Sequence, residues 1–217
     1  MRGSAGAFDP KRVPTRFPVL EVLAARWSPR SFLDRMPEPG ILGSVLEAAR
    51  LAPSAHNTQP ARFLLARAGH GDGHARLCAC LSPHNQVWAP AAPVLVLACV
   101  MRERLSQVDA RMVPYPHAMH DLGLAVMSAI VQAQALGLHA HPIAGFEPDL
   151  AREVFRVPDL FEPGLVLALG YAGAPDALPA DLQVKERGPR TRRALEEVVF
   201  EGSWGRVPDL LARRAGR

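Results

Sequence analysis

Apolar residues recur at helical spacing over positions 38–51, where Ile41, Leu42, Val45, Leu46 and Ala49 share one face, and Pro53 closes the run. A shorter apolar stretch at 17–26 predicts a helix before it. Residues 62–67 read as a strand and 73–81 as a helix. Positions 94–101 are continuously apolar (Val-Leu-Val-Leu-Ala-Cys-Val-Met), which predicts a strand buried on both faces and therefore central in its sheet. The longest predicted helix, 119–136, is apolar nearly all round: Leu122, Leu124, Val126, Met127, Ile130, Val131 and Ala135 cover several faces, so it should be buried on several sides. Gly137 follows as a C-cap. Strands at 138–143 and 165–171 flank a helix at 148–155, and 102–118 is a polar loop with Pro114 and Pro116. Helices and strands do not alternate regularly. That pattern predicts an α+β fold, with a mostly antiparallel or mixed sheet flanked by helices.

A chain of 217 residues with 48% hydrophobic content suits one domain with a substantial core, or one protomer of an intimate dimer. Residues 1–16 read as a polar arm. The apolar stretch 194–200 opens a C-terminal extension, 194–217, that is expected to pack on a sister subunit. The net charge of +4 is small, and only Lys11 and Lys185 are lysines, so the cations are almost all Arg. They are scattered apart from a cluster at 187–193, which is not the long basic stripe with interleaved aromatics of a nucleic-acid binder. No apolar stretch is long enough to span a bilayer, and 1–12 lacks the apolar region of a secretion signal. Three cysteines (Cys78, Cys80, Cys99) do not form a disulfide framework. A reducing, cytoplasmic setting is the expectation.

Two segments carry the strongest chemical signal. Arg26-Trp27-Ser28-Pro29-Arg30 sets two guanidiniums around a serine, and the planar fork of Arg suits phosphate. About one helix later, Pro53-Ser54-Ala55-His56-Asn57-Thr58-Gln59-Pro60 is a proline-stiffened turn whose side-chain amides can match donors and acceptors on a ring edge. Together they suggest a nucleotide-like cofactor with phosphate at one end and a flat heterocycle at the other. Arg190-Thr191-Arg192-Arg193 supplies further cations, although a charge run by itself is usually a solvated face. His70, His74, Cys78 and Cys80 lack paired metal-ligand spacing, so no metal is expected. His117, His120 and Asp121 precede the long helix. Asp121 reads as its cap, and a histidine here could line a pocket and give a proton to product. There is no Gly-x-Gly-x-x-Gly fingerprint and no Ser-His-Asp arrangement.

The Arg26, Pro53 and Arg190 segments, with Asn85-Gln86-Val87-Trp88-Ala89-Pro90 and Pro142-Ile143-Ala144-Gly145-Phe146, resemble the FMN-dependent nitroreductase family in five places and in the right order, from about residue 20 to 205, and a His-Asp-x-Gly run stands at 120–123 before the long helix. The resemblance is to the bacterial subgroup with an Arg-Trp-Ser-Pro-Arg opening. It implies a nitroreductase-like fold and an intertwined homodimer with two flavins at its interface. It further implies that Arg26 and Ser28 contact the phosphate and pyrimidine side of FMN, Trp27 by its backbone, and that Arg30 reaches the ring or the incoming nicotinamide. Pro53, Ser54, Ala55, Asn57 and Gln59 would come from the other subunit to cover the ring edge. Ala61 stands where the family often has Trp. Asn85 would meet the pyrimidine end, and Ala144 and Gly145 would lie on the flavin, with the Gly145 N–H directed at N5. Arg190 and Arg192 would hold the phosphate while Arg193 faces solvent, in a register open to a shift of one residue.

The function implied is an FMN-dependent oxidoreductase. It would pass electrons from NAD(P)H through flavin N5 to a nitroaromatic, quinone or other small electrophile by a ping-pong mechanism. No side chain is assigned an obligatory catalytic role, and His120 is the candidate proton donor. The alternative is a protein that sequesters FMN without efficient NAD(P)H turnover, with the loop 102–118 as the place where the two would differ. Arg102 and Arg104 on that loop are available for an NADPH 2′-phosphate.

Overall fold

The computed structural model describes residues 11–106 and 108–211. A four-stranded sheet runs through its centre. Its strands are β1 (Ala61–Arg67), β2 (Val94–Met101), β5 (His139–Ile143) and β6 (Phe161–Gly170), in the order β1-β2-β6-β5 with every neighbouring pair antiparallel. A two-stranded hairpin, β3 (Glu103–Leu105) and β4 (Met112–Pro114), lies apart from it. The helices are α1 (Glu21–Ala25), α2 (Pro39–Arg50), α3 (Gly73–Ala79), α4 (Pro83–Gln86), α5 (Ala118–Ala135), α6 (Pro148–Phe155) and α7 (Ala180–Arg187). The α+β class, the antiparallel sheet and the central place of β2 are as the sequence predicts.

The period of two along β2 divides the core. Val94, Val96, Ala98 and Val100 face α2 and α5, where Leu42, Val45, Ala49, Leu122, Val126 and Ala129 meet them. Leu95, Leu97 and Cys99 face the other way, towards Leu77 of α3, Ala151 of α6 and Leu182 of α7. The sheet is therefore covered on both faces, which explains why β2 has no polar position. The backbone of Gly137 takes φ +78°, and Leu138 N–H reaches Ala133 O at 2.9 Å while Gly137 N–H reaches Gln134 O at 3.1 Å. This doubly bonded cap satisfies the last carbonyls of α5.

Several boundaries differ from the sequence expectation. The first helix begins only at Glu21: Pro18 disfavours helical backbone at the residue before it, and Phe17, Val19 and Leu20 are exposed. β6 starts at Phe161 despite Pro163, because the register with β2 shifts between Ala98 and Cys99 and the irregularity accommodates the proline. Pro142 lies in β5, an edge strand, where a missing N–H costs no ladder bond. The 102–118 segment, expected as plain loop, contains the β3–β4 hairpin, and the polar stretch 180–187 is a helix. Not all of α5 is covered: Met119 and Met127 are 54% and 41% exposed, and Gly123 between them is exposed as well, an apolar stripe at i, i+4 spacing. No helix among the described residues is long and apolar enough to cross a membrane.

Candidate active site

The loop after α1 and the segment after α7 meet although far apart in sequence. Arg26, Trp27 and Ser28 line one cleft of about 260 Å³ with Lys11, Lys185, Gly188, Pro189, Arg190 and Arg192. Five cations thus converge on a small space, and none of the described residues that line it is a carboxylate. Arg26 donates to Ser28 Oγ at 3.2 Å, and Arg190 donates to Ala24 O at 2.5 Å, which ties the C-terminal segment to the end of α1. Burial, and then the neighbouring Arg192 charge, lower the Arg26 pKa from its ordinary value. Crowded like charges are unfavourable in the empty cleft and favourable once a dianion enters, so the chemistry of this donor set fits phosphate. Arg193 is exposed and pairs with Glu197 at 3.6 Å, outside the cleft.

Arg30 is fixed from behind by a residue that composition would place in solvent. Glu186 of α7 is 2% exposed; its Oε1 accepts the Arg30 N–H at 2.9 Å and the Ser31 N–H at 3.4 Å, and its Oε2 lies 3.9 Å from the Arg30 guanidinium. Ser31 Oγ donates to Ala174 O at 2.6 Å. The 26–31 loop is thus held to α7 and to the segment that follows β6. Beneath it, β5 presents two imidazoles on one face. His141 Nδ1 pairs with Pro29 O at 2.9 Å, and its ring lies 4.5 Å from that of Trp88. Burial, against the Pro29 hydrogen bond and with help from Arg30 and Arg26, brings the His141 pKa down to about 4. His139 packs edge-on to Trp27 at 5.9 Å and is also lowered, by burial and then by Arg26. Both rings are neutral at pH 7, so they line the loop without adding to its charge.

Asn85 and Gly145 form a second group, joined to the first through Trp88 and His141. Asn85 Nδ2 donates to Gly145 O at 2.9 Å and to Ser82 Oγ at 3.1 Å, and Trp88 Nε1 donates to Asn85 Oδ1 at 3.2 Å. The amide is therefore engaged in holding the 144–146 turn. A Cβ on Gly145 would fall 2.6 Å from Asn85 Nδ2 and 2.9 Å from Ser82 Oγ, so a larger residue here would have to displace both of these side chains. The Gly145 carbonyl also accepts Ser82 N–H at 3.0 Å, whereas its own N–H has no partner among the described residues. Ala144 beside it is exposed.

The 53–59 turn forms a third group. Pro53, Ser54 and Gln59 line a separate cleft of about 140 Å³ with Asp121 and Arg62. Ser54 Oγ accepts Gln59 N–H at 2.9 Å, and Asn57 and Gln59 are exposed. Ala55 N–H donates to Asp121 Oδ2 at 3.0 Å. Asp121 does not cap its own helix, as the sequence suggests. It turns inward to this loop, is 2% exposed, and also accepts from Tyr115 OH and from His120 Nδ1, the latter at 2.9 Å. Burial alone would raise its pKa, but the hydrogen bonds from Tyr115, His120 and Ala55 outweigh that and hold the carboxyl below its usual range. No hydrogen bond or shared cavity joins this turn to the Arg26 cleft among the described residues.

His74 and the cysteines have structural employment: His74 Nε2 pairs with Ala92 O at 2.8 Å and Cys80 Sγ with Arg76 O at 3.3 Å, and burial pushes the Cys78 and Cys99 thiols up to about 11. Glu186, His139, His141, Tyr115 and Lys185 are the site-building residues that sequence reasoning missed. The Pro142-to-Phe146 motif pointed to the neighbourhood of the histidines, and the period of two in β5 could have placed both rings on one face.

The antiparallel α+β fold carries a cationic cleft whose donor set fits the phosphate of a cofactor. More specifically, the nitroreductase family model matches residues 23–82 and 81–171, and the chain belongs to that family. An uncharacterized 15.4 kDa protein of Mycolicibacterium smegmatis is 40% identical over 120 residues, covering 54% of this chain and 76% of that one. A protein of Stutzerimonas stutzeri named as a putative NADH dehydrogenase/NAD(P)H nitroreductase is 30% identical, covering 66% of this chain and 80% of its own length. A crystal structure described as an oxidoreductase containing FMN superposes with a TM-score of 0.85 at 33% identity, covering 92% of this chain and 98% of that one.

Proposed function

We propose that this chain is an FMN-dependent oxidoreductase that takes electrons from NAD(P)H and passes them to a nitroaromatic, quinone or similar small electrophile, as a homodimer whose two sites each draw on both subunits. The observation that carries the reading is the cleft in which Arg26, Arg190, Arg192, Lys11 and Lys185 converge, with no carboxylate among the described residues that line it. A dianionic phosphate is the ligand that such a donor set accepts. Relatives named as NAD(P)H nitroreductases and the similar FMN-containing oxidoreductase supply the cofactor and the donor.

When bound, FMN supplies hydride exchange at N5. The protein binds and orients. Arg26, Ser28, Arg190 and Arg192 would hold the phosphate end, Arg30 would reach the ring or the incoming nicotinamide, and the Gly145 N–H, which has no partner among the described residues, would be available to the reacting edge. Asn85 acts one step back, by fixing the Gly145 turn. The 53–59 turn would reach the flavin of the neighbouring subunit, a reading its separation from the Arg26 cleft within one chain supports. The exposed apolar stripe of α5 and the exposed Val198 and Val199 of the C-terminal extension form the dimer surface. The nicotinamide and the acceptor use one face of the ring in turn. Steady-state rates with NADPH and a quinone varied together should therefore give parallel double-reciprocal lines. Intersecting lines would refute the alternating scheme, and absence of NADPH oxidation would favour sequestration.

A further inference from the structure

The 53–59 turn is held in an uncommon backbone. His56, Asn57 and Gln59 all have positive φ, at 55°, 52° and 50°, so three of four consecutive residues lie in the left-handed region without one being glycine. Such a conformation persists only where its surroundings over-determine it. Those surroundings are buried polar groups from another part of the chain. Tyr115, at the end of the β3–β4 hairpin segment, is 3% exposed, and Asp121, in the first turn of α5, is 2% exposed. Asp121 Oδ2 receives Ala55 N–H at 3.0 Å and the Tyr115 hydroxyl, which also lies 3.1 Å from Ala55 O. Thr58 Oγ1 donates to the same carbonyl at 2.7 Å. The other Asp121 oxygen pairs with His120 Nδ1 at 2.9 Å and leaves Nε2 of that exposed ring outward. Two buried groups thus hold the N–H and the C=O of one residue, Ala55, and so the two peptide groups on either side of it, and one of them also orients a histidine.

We propose that Asp121 and Tyr115 are positioning residues: a clamp on Ala55 that fixes the left-handed 54–59 turn in the form that meets the flavin, with His120 set beside it by the same carboxylate. This rests on the reading that the turn contacts FMN. Neither residue needs to touch the cofactor. Their action runs through the backbone of the turn.

The test uses Tyr115→Phe, Asp121→Asn and the double variant in the full-length protein. FMN affinity is measured by titrating apoprotein, the flavin environment by visible circular dichroism, and the fold by melting of the apoprotein. Each single change should weaken FMN about tenfold and alter the flavin dichroism. The double should be no weaker than the weaker single, because both act on one element. Ser54→Ala/Asn57→Ala is the companion variant and should also lose FMN. If the companion loses FMN while Tyr115→Phe retains wild-type affinity and dichroism, the clamp is overturned and the turn's contact stands. If the companion retains FMN, the contact itself fails and the clamp's role with it. Should Asp121→Asn not fold, Tyr115→Phe decides alone, since it keeps the buried carboxylate and removes only the hydroxyl.

Discussion

Replacing Arg192 by Ala separates the phosphate cleft from every other contribution to cofactor binding. Without a bound anion this guanidinium is a cost to its neighbour, because the Arg26 pKa is lowered first by Arg26's own burial and then by the Arg192 charge. Removing it should leave the apoprotein's melting temperature unchanged or slightly raised. On the proposed reading it would make one charge-assisted bond to phosphate in the loaded protein, worth about 1.5–3 kcal/mol, and each 1.4 kcal/mol is tenfold in affinity. FMN should therefore bind about 10- to 150-fold more weakly. Riboflavin, which has the same ring and side chain without the phosphate, should bind the variant and the parent alike. The assay is fluorescence titration of apoprotein with each flavin at fixed ionic strength. Equal losses for FMN and riboflavin would show that Arg192 supports the ring or the fold rather than the phosphate. Unchanged FMN affinity would remove it from the site.

Three further outcomes follow from the geometry. Gly145→Ala places a Cβ 2.6 Å from Asn85 Nδ2 and should displace the amide, lowering stability by about 1–3 kcal/mol and weakening FMN, as read by apoprotein melting and by titration. The His141 pKa of about 4 lies below the ordinary 6.5, so the unfolded chain takes up a proton that the folded one resists. Stability from this group is intact above pH 6.5 and falls between 6.5 and 4 by about 3 kcal/mol in total, and His141→Gln should flatten that acid limb in melting curves recorded against pH. Met127→Glu puts a charge on the exposed stripe of α5; under the proposed dimer, light scattering should show a monomer, with FMN lost in parallel because each proposed site draws on both chains.

The elements that the sequence disclosed are those whose pattern reflects burial. β2 and α5 were legible because the core meets them on both faces or nearly so, and α6 because its apolar residues keep strict helical spacing between Pro148 and Phe155. α7 was missed because only Leu182 and Glu186 of its eight residues are buried, and one of those is a carboxylate. The β3–β4 hairpin was missed because three-residue strands are too short for an alternation to register. At the site, the Arg-rich segments and the Pro-Ser turn were legible as motifs. Their partners were not. Glu186 and Asp121 are acids turned inward to backbone N–H groups, and nothing in the period of a helix distinguishes a buried hydrogen-bonded carboxylate from a solvated one.

The central claim is that the chain carries FMN and reduces it with a nicotinamide. The visible spectrum of protein reconstituted with FMN, recorded without oxygen before and after NADPH, tests it most directly. Bound flavin absorbance that bleaches on addition of NADPH is the predicted result. Protein that fails to take up FMN, or a bound flavin whose absorbance persists with both NADPH and NADH, would contradict it.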